Sequence, residues 1–189
     1  MYANRVVNLT GRFAASVLRH AVAGFLGVVI LYLSMLATSA PMSAENRQVI
    51  DRAIAVLERK GFGHEGFLLR YYATFRSRDN WLNTHLVPNE NAYASTNFPF
   101  GIVTIYNDFY NKAVDDTERA AVLLHEVQHM KGASEVEAYK YVWQNRHQLG
   151  WTLLSHGGTE SYVSIEIQTR EYAPELFTCE SKPFRDCTE

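Results

Sequence analysis

The segment HEVQHMKGASEVEAY, residues 125–139, restricts the fold of this chain more than any other. It continues NKAVDDTERAAVLL, so the pattern predicts one helix over residues 111–132. Asp115 or Asp116 can cap that helix, and Glu118 suits its positive first turn. Gly132 follows His129 by only three residues. A glycine there can take positive φ, end the helix and reverse the chain. Ser134 is then a natural N-cap for a further helix to about Gln148, with Glu137 as its capping-box partner. Two helices must meet at one tight turn, with polar side chains gathered around it.

Residues four apart on a helix differ by about 40° in azimuth, so His125 and His129 project from one face. That spacing suits one tetrahedral Zn²⁺, whose imidazole nitrogens lie at about 2.0–2.1 Å. Glu126 is rotated about 100° from His125, so it flanks such an ion without ligating it. A carboxylate in that place can take a proton from a metal-activated water and hand it to a leaving amine.

The HEVQH stretch resembles the HExxH motif of zinc-dependent metallopeptidases, the zincins. The resemblance spans roughly residues 98–150, and only 125–138 is specific. It implies Zn²⁺ as cofactor, a peptide or protein as substrate, and Glu126 as the catalytic base. Two zincin frames point to the same third metal ligand. Written HExxHxxGxxX, as in metzincins, the segment puts Glu135 in the ligand position. Written as a gluzincin, with a Glu opening ExxA on a second helix, Glu135 and Ala138 again fit. Tyr139 stands where gluzincins commonly have an acidic residue or Asn. No methionine follows Met130, so the metzincin Met-turn is missing. The likeness is therefore to zincins in general and to no named subfamily. Glu137 is the competing ligand. Its capping-box role and its i, i+3 spacing to Lys140 give it other work, so Glu135 is preferred over it.

The strand pattern GIVTIY, 101–106, precedes the HExxH helix, where zincins place the edge strand that aligns substrate. ENRQVIDRAIAVLERKGFG, 45–63, reads as an amphipathic helix with Val49, Ile50, Ala53, Ile54 and Leu57 on one stripe. Phe67, Leu68, Tyr71, Tyr72 and Phe75 suggest a second helix, and residues 76–97 read as loop with short extended pieces. Residues 159–172 suit either strand or helix. The expected class is α+β: a mainly helical, small zincin-like domain with a short β-sheet before the HExxH helix, after an N-terminal signal or transmembrane helix.

Arg5, Arg12 and Arg19 precede the apolar run 21–37, which is short for a spanning helix and long for a signal core. The segment 1–44 reads as signal peptide or membrane anchor plus linker, and 45–189 as the folded domain. The body is then extracytoplasmic, either anchored by residues 21–37 or secreted after cleavage. Cys179 and Cys187 are expected as a disulfide closing a short loop. Beyond residue 44 there are 15 basic and 20 acidic residues, a net −5 that argues against a nucleic-acid partner. Nothing in the chain indicates an oligomeric state.

Four residues are candidates to stabilise an oxyanion: Tyr139, His147, His156 and Tyr162. Glu160, Glu166 and Asn111 are candidate acceptors for the free nitrogens of the histidines. His64 and His85 read as solvated. The competing functional reading is a membrane-tethered interaction or structural domain whose HExxH is inactive.

Overall fold

A computed structural model describes residues 2–86, 92–179 and 182–183, with side chains over 15–84 and 92–177. The expected Cys179–Cys187 disulfide and the side chain of His85 lie outside the described residues. The chain divides into two units, Met1–Thr38 and Ser39–Glu189.

The first unit is one helix, α1 (Tyr2–Thr38). Within it Ala15–Thr38 spans 24 residues, and an 18-residue window of that stretch has a mean hydropathy of 2.2. At 1.5 Å per residue the whole stretch is about 36 Å, enough to cross a bilayer core of about 30 Å. Helical continuity through Val17 and Leu18 makes this stretch longer than the apolar run 21–37. The Ser34 hydroxyl donates to the Leu31 carbonyl at 2.7 Å and the Thr38 hydroxyl to Ser34 at 2.9 Å. Such bonds keep hydroxyls satisfied inside an apolar helix.

In the second unit a small sheet and a set of helices share one core. Its elements are β1 (Ala40–Pro41), α2 (Ala44–Arg59), α3 (Gly63–Tyr71), β2 (Thr74–Arg78), α4 (Trp81–Leu86), β3 (Ala94–Asn97) and β4 (Ile102–Ile105). There follow α5 (Asn107–Asn111), α6 (Asp116–Met130), α7 (Glu135–Leu149), α8 (Leu153–His156), α9 (Glu160–Tyr172) and a 3₁₀ turn at Pro174–Phe177. A short hairpin of β5 (Thr178–Cys179) and β6 (Lys182–Pro183) comes last. The mainly helical α+β class matches the expectation.

α6 lies at the centre. Ala120, Ala121, Leu123, Leu124 and Val127 are completely buried, because the AAVLL run is apolar around most of the helix. α2 packs Ile50, Ala53, Ile54 and Leu57 against this core, along the stripe read from the sequence. Trp143 of α7 meets Trp151, Tyr162 and Phe177 in one aromatic cluster, at ring separations of 5.4–6.1 Å. That contact, with Thr159 accepting from Tyr162 N, settles 159–172 as helix.

Three expectations need correcting. Phe75 is not helical: it lies in β2, whose parallel pairing with β4 (Phe75 opposite Val103) overrides the helical spacing. The linker expected before residue 45 is not only linker, since Ala40–Pro41 pair with β2 and Ser43 caps α2. The strand within 101–106 is not an edge. The sheet order is β1-β2-β4-β3, so β4 has partners on both sides and all four of its residues are buried. The edge beside α6 is β3, which polar ASTN did not advertise as a strand.

Candidate metal centre and active site

Local chemistry builds the site first. Asp115 starts α6 by accepting from Thr117 N and Glu118 N, each at 2.9 Å. Gly132, at φ 86, ends it. Ala133 N bonds the Gln128 carbonyl at 3.0 Å and Gly132 N bonds His129 at 2.9 Å. This is a Schellman termination, and it turns the chain back toward the face it has just left. Ser134 then caps α7. Its N–H and hydroxyl both donate to Glu137 Oε2, at 2.7 and 2.9 Å, while Glu137 N approaches the Ser134 hydroxyl at 3.4 Å. The carboxylate of Glu137 is thereby turned to its own helix end. Lys140 pairs with Glu175 and not with Glu137.

Glu135, the first residue of α7, faces the histidines. Glu135 Oε2 lies 3.3 Å from His125 Nε2, and Glu135 Oε1 lies 3.4 Å from His129 Nε2. The two Nε2 atoms are 2.9 Å apart. Donors on a tetrahedral Zn²⁺ at about 2.0–2.1 Å stand roughly 3.3 Å from one another, so this donor set fits the ion. His129 Nδ1 contacts the Ala133 carbonyl at 3.0 Å. A proton held there on Nδ1 leaves Nε2 free to ligate. That acceptor is a backbone group made available by the turn. None of the three side chains considered for the task supplies it: Glu160 pairs with Lys112 and Glu166 with Arg170.

The electrostatics follow from this convergence. Burial disfavours a charged His129, but the Glu135 hydrogen bond, the Glu126 charge and the Ala133 carbonyl outweigh it and raise the group to about 9. Hydrogen bonds from His125 and His129 hold the Glu135 carboxyl well below the usual carboxylate range. The metal-free cluster thus favours an anion at Glu135 and positive charge on His129.

Glu126 is 4% exposed and borders a cavity of about 460 Å³ that also contains His125, His129 and Glu135 on its wall. β3 forms another wall through Ala94, Ser95 and Thr96. Tyr106 N donates to Tyr93 O at 3.0 Å, and the antiparallel register pairs Ser95 with Thr104. By the two-residue alternation of such ladders, positions 93, 95 and 97 bond toward β4, and Ala94 and Thr96 direct their backbone groups to the other side, which has no strand partner among the described residues. Thr96 also reaches Glu126, its hydroxyl donating to Oε2 at 2.7 Å. No sequence signal marked Thr96, because the pairing joins residues 30 positions apart.

Of the oxyanion candidates, only Tyr139 reaches this cavity. Its ring lies 4.5 Å from that of His125 and stacks on Tyr172 at 5.2 Å. Its hydroxyl bonds Gln168, another wall residue with no signal in the sequence. Burial and the Glu135 charge push its hydroxyl pKa up. His156 is elsewhere: its Nε2 lies 3.1 Å from Asp115 Oδ2, at the opposite end of α6. Tyr162 is buried in the aromatic core, and His147 is exposed on the last turn of α7.

With this geometry in place, comparison with known families is decisive. Residues 43–161 match the model of peptidase family M48. The chain belongs to peptidase family M48. It is therefore a zincin-type metallopeptidase, a zinc-dependent hydrolase that acts on peptide or protein substrates. The M48 match begins at Ser43, the cap of α2, and ends at Ser161, in the first turn of α9. No curated protein and no solved structure matches the chain.

Proposed function

We propose that His125, His129 and Glu135 hold the zinc ion of this M48 metallopeptidase and that Glu126 is its general acid–base residue. One observation carries the reading: three donor groups converge within 4.8 Å of one another, beside a buried carboxylate on a cavity wall. Bound zinc supplies a Lewis acid that polarises a carbonyl and brings the pKa of a water close to neutrality. The chain's own residues do the rest. Glu126 takes a proton from the attacking water as the new carbon–oxygen bond forms. It then gives that proton to the amide nitrogen as the carbon–nitrogen bond breaks. An extended substrate adds to the side of β3 away from β4, where Ala94 and Thr96 have no strand partner among the described residues. Family membership favours this reading over that of an inactive, tethered interaction domain.

We assign residues 1–44 to a signal or anchor with its connecting segment, whose last residues from Ser39 already pack with the peptidase domain, and 45–189 to the body of that domain. The body lies outside the cytoplasm, because Arg5, Arg12 and Arg19 retain the N-terminal flank inside. Protease added outside intact cells should then digest the body, and a protected body would overturn the placement.

The catalytic assignment is tested with the full chain and Glu126→Gln. Wild type should bind one zinc per chain and hydrolyse peptides. The variant should keep the zinc and lose about 10²- to 10⁴-fold in kcat. A wild type without zinc, or a fully active Glu126→Gln, would overturn the assignment.

A further inference from the structure

Thr96 stands in β3 opposite Val103, with its side chain directed at α6. Its hydroxyl is 2.7 Å from Glu126 Oε2 and 3.4 Å from the Glu126 carbonyl oxygen. A threonine hydroxyl has one proton, and the shorter, charge-assisted contact takes it. Oε2 thereby carries a hydrogen bond, while Oε1 has none among the described residues and is the oxygen to take the water's proton. The bond also fixes the terminal torsion of a carboxylate, which is otherwise broad and roughly two-fold.

The neighbour of Thr96 is held from the other side. Asn97 accepts from Asn80 Nδ2 at 2.7 Å and donates to Asn83 Oδ1 at 2.5 Å, all three side chains being buried. Asn80 in turn accepts from Leu82 N and Asn83 N at the start of α4, at 3.0 and 3.1 Å. This network ties the back of the edge strand to α4, so the position of Thr96 is set by more than its own contact. The backbone of Thr96 lies on the sheet edge formed by β3 among the described residues, while its side chain holds the base.

We propose that Thr96 is a positioning residue: it aims Glu126 and links docking of a substrate strand on β3 to the orientation of the base. The inference rests on the role of Glu126 given above. It predicts an effect on turnover with little effect on binding, because the hydroxyl touches Glu126 and not the substrate.

The test uses the full-length chain with Thr96→Val, which keeps shape and removes the hydroxyl, and Thr96→Ser, which restores it. Thr96→Val should keep its zinc, lose about 10- to 100-fold in kcat and leave KM nearly unchanged. Thr96→Ser should recover most of the lost turnover. A second readout needs no activity. In the zinc-free chain, the unfolding midpoints of Thr96→Val, Glu126→Ala and the double variant form a cycle. The shift caused by Thr96→Val should shrink once Glu126 is gone. Full kcat in Thr96→Val, a Thr96→Ser variant as impaired as Thr96→Val, or strictly additive midpoint shifts would overturn the proposal. Failure of the catalytic assignment itself would show in wild type and Glu126→Gln, while the zinc-free cycle would still report on the Thr96–Glu126 bond.

Discussion

Glu65 Oε1 lies 3.3 Å from Lys131 Nζ, which joins α3 to the C-cap of the HExxH helix. The same oxygen accepts from the Tyr141 hydroxyl of α7 at 3.2 Å, and Lys131 Nζ sits 5.2 Å above the Tyr141 ring. One buried carboxylate therefore braces the turn between the two helices that carry His129 and Glu135.

This brace should appear in acid stability. Burial alone would raise the Glu65 pKa, but its own backbone N–H, Lys131 and Tyr141 outweigh that and bring it below 4.5. A lowered carboxyl contributes stability that is full above the unfolded value of 4.5 and is lost as pH falls through the folded value. Glu65→Gln should cost about 1–3 kcal/mol at neutral pH. It should also lose less of its remaining stability than wild type between neutral pH and about 3. Urea unfolding of both proteins across that range measures the difference.

Glu135 and Glu137 should part company on substitution. Glu135→Gln should weaken zinc binding by at least about 100-fold. Glu137→Ala should keep zinc but lower thermal stability, because it removes the capping-box acceptor of Ser134. Chelator competition reads the first effect and thermal unfolding of the metal-free chain the second. Equal zinc loss in both variants would contradict the division of roles.

Gly132→Ala should be costly despite the space available. A Cβ there would meet the Phe98 ring at 3.5 Å, an ordinary contact. The cost comes from φ at 86, where an L-residue pays about 1–2 kcal/mol. Any relaxation of the turn moves Glu135 from the imidazoles, so zinc affinity should fall with stability. Titration with zinc and thermal unfolding check both.

Removing the metal should lower the unfolding temperature. The three donors come from two helices, and the unfolded chain does not hold them together. At free zinc about 100-fold above Kd the stabilisation is about 2.7 kcal/mol. Glu126→Gln should keep this response to chelator, whereas Glu135→Gln should lose most of it.

Much of the site is local in sequence, and that part could be read directly. Two histidines one turn apart, a glycine free to take positive φ, and a Ser–Glu capping box define α6, the reversal and the start of α7 within fifteen residues. Short-range hydrogen bonds and helical azimuth set that geometry without help from the rest of the chain. The apolar stripe of α2 was legible for the same reason. Reading β4 as the open edge failed because strand order depends on which segments pair, and β2 and β3 occupy both of its sides. Phe75 followed helical spacing until ladder hydrogen bonds claimed it for β2. The contact between Thr96 and Glu126, the Ala133 carbonyl under His129 and the Tyr139–Gln168 pair came only with packing. Composition and spacing carry no signal for groups that meet across a fold. The sequence by itself determined which side chains could share one helix turn; the tertiary structure decided which strand, carbonyl and hydroxyl surround them, because those contacts form only when distant segments bury a common core.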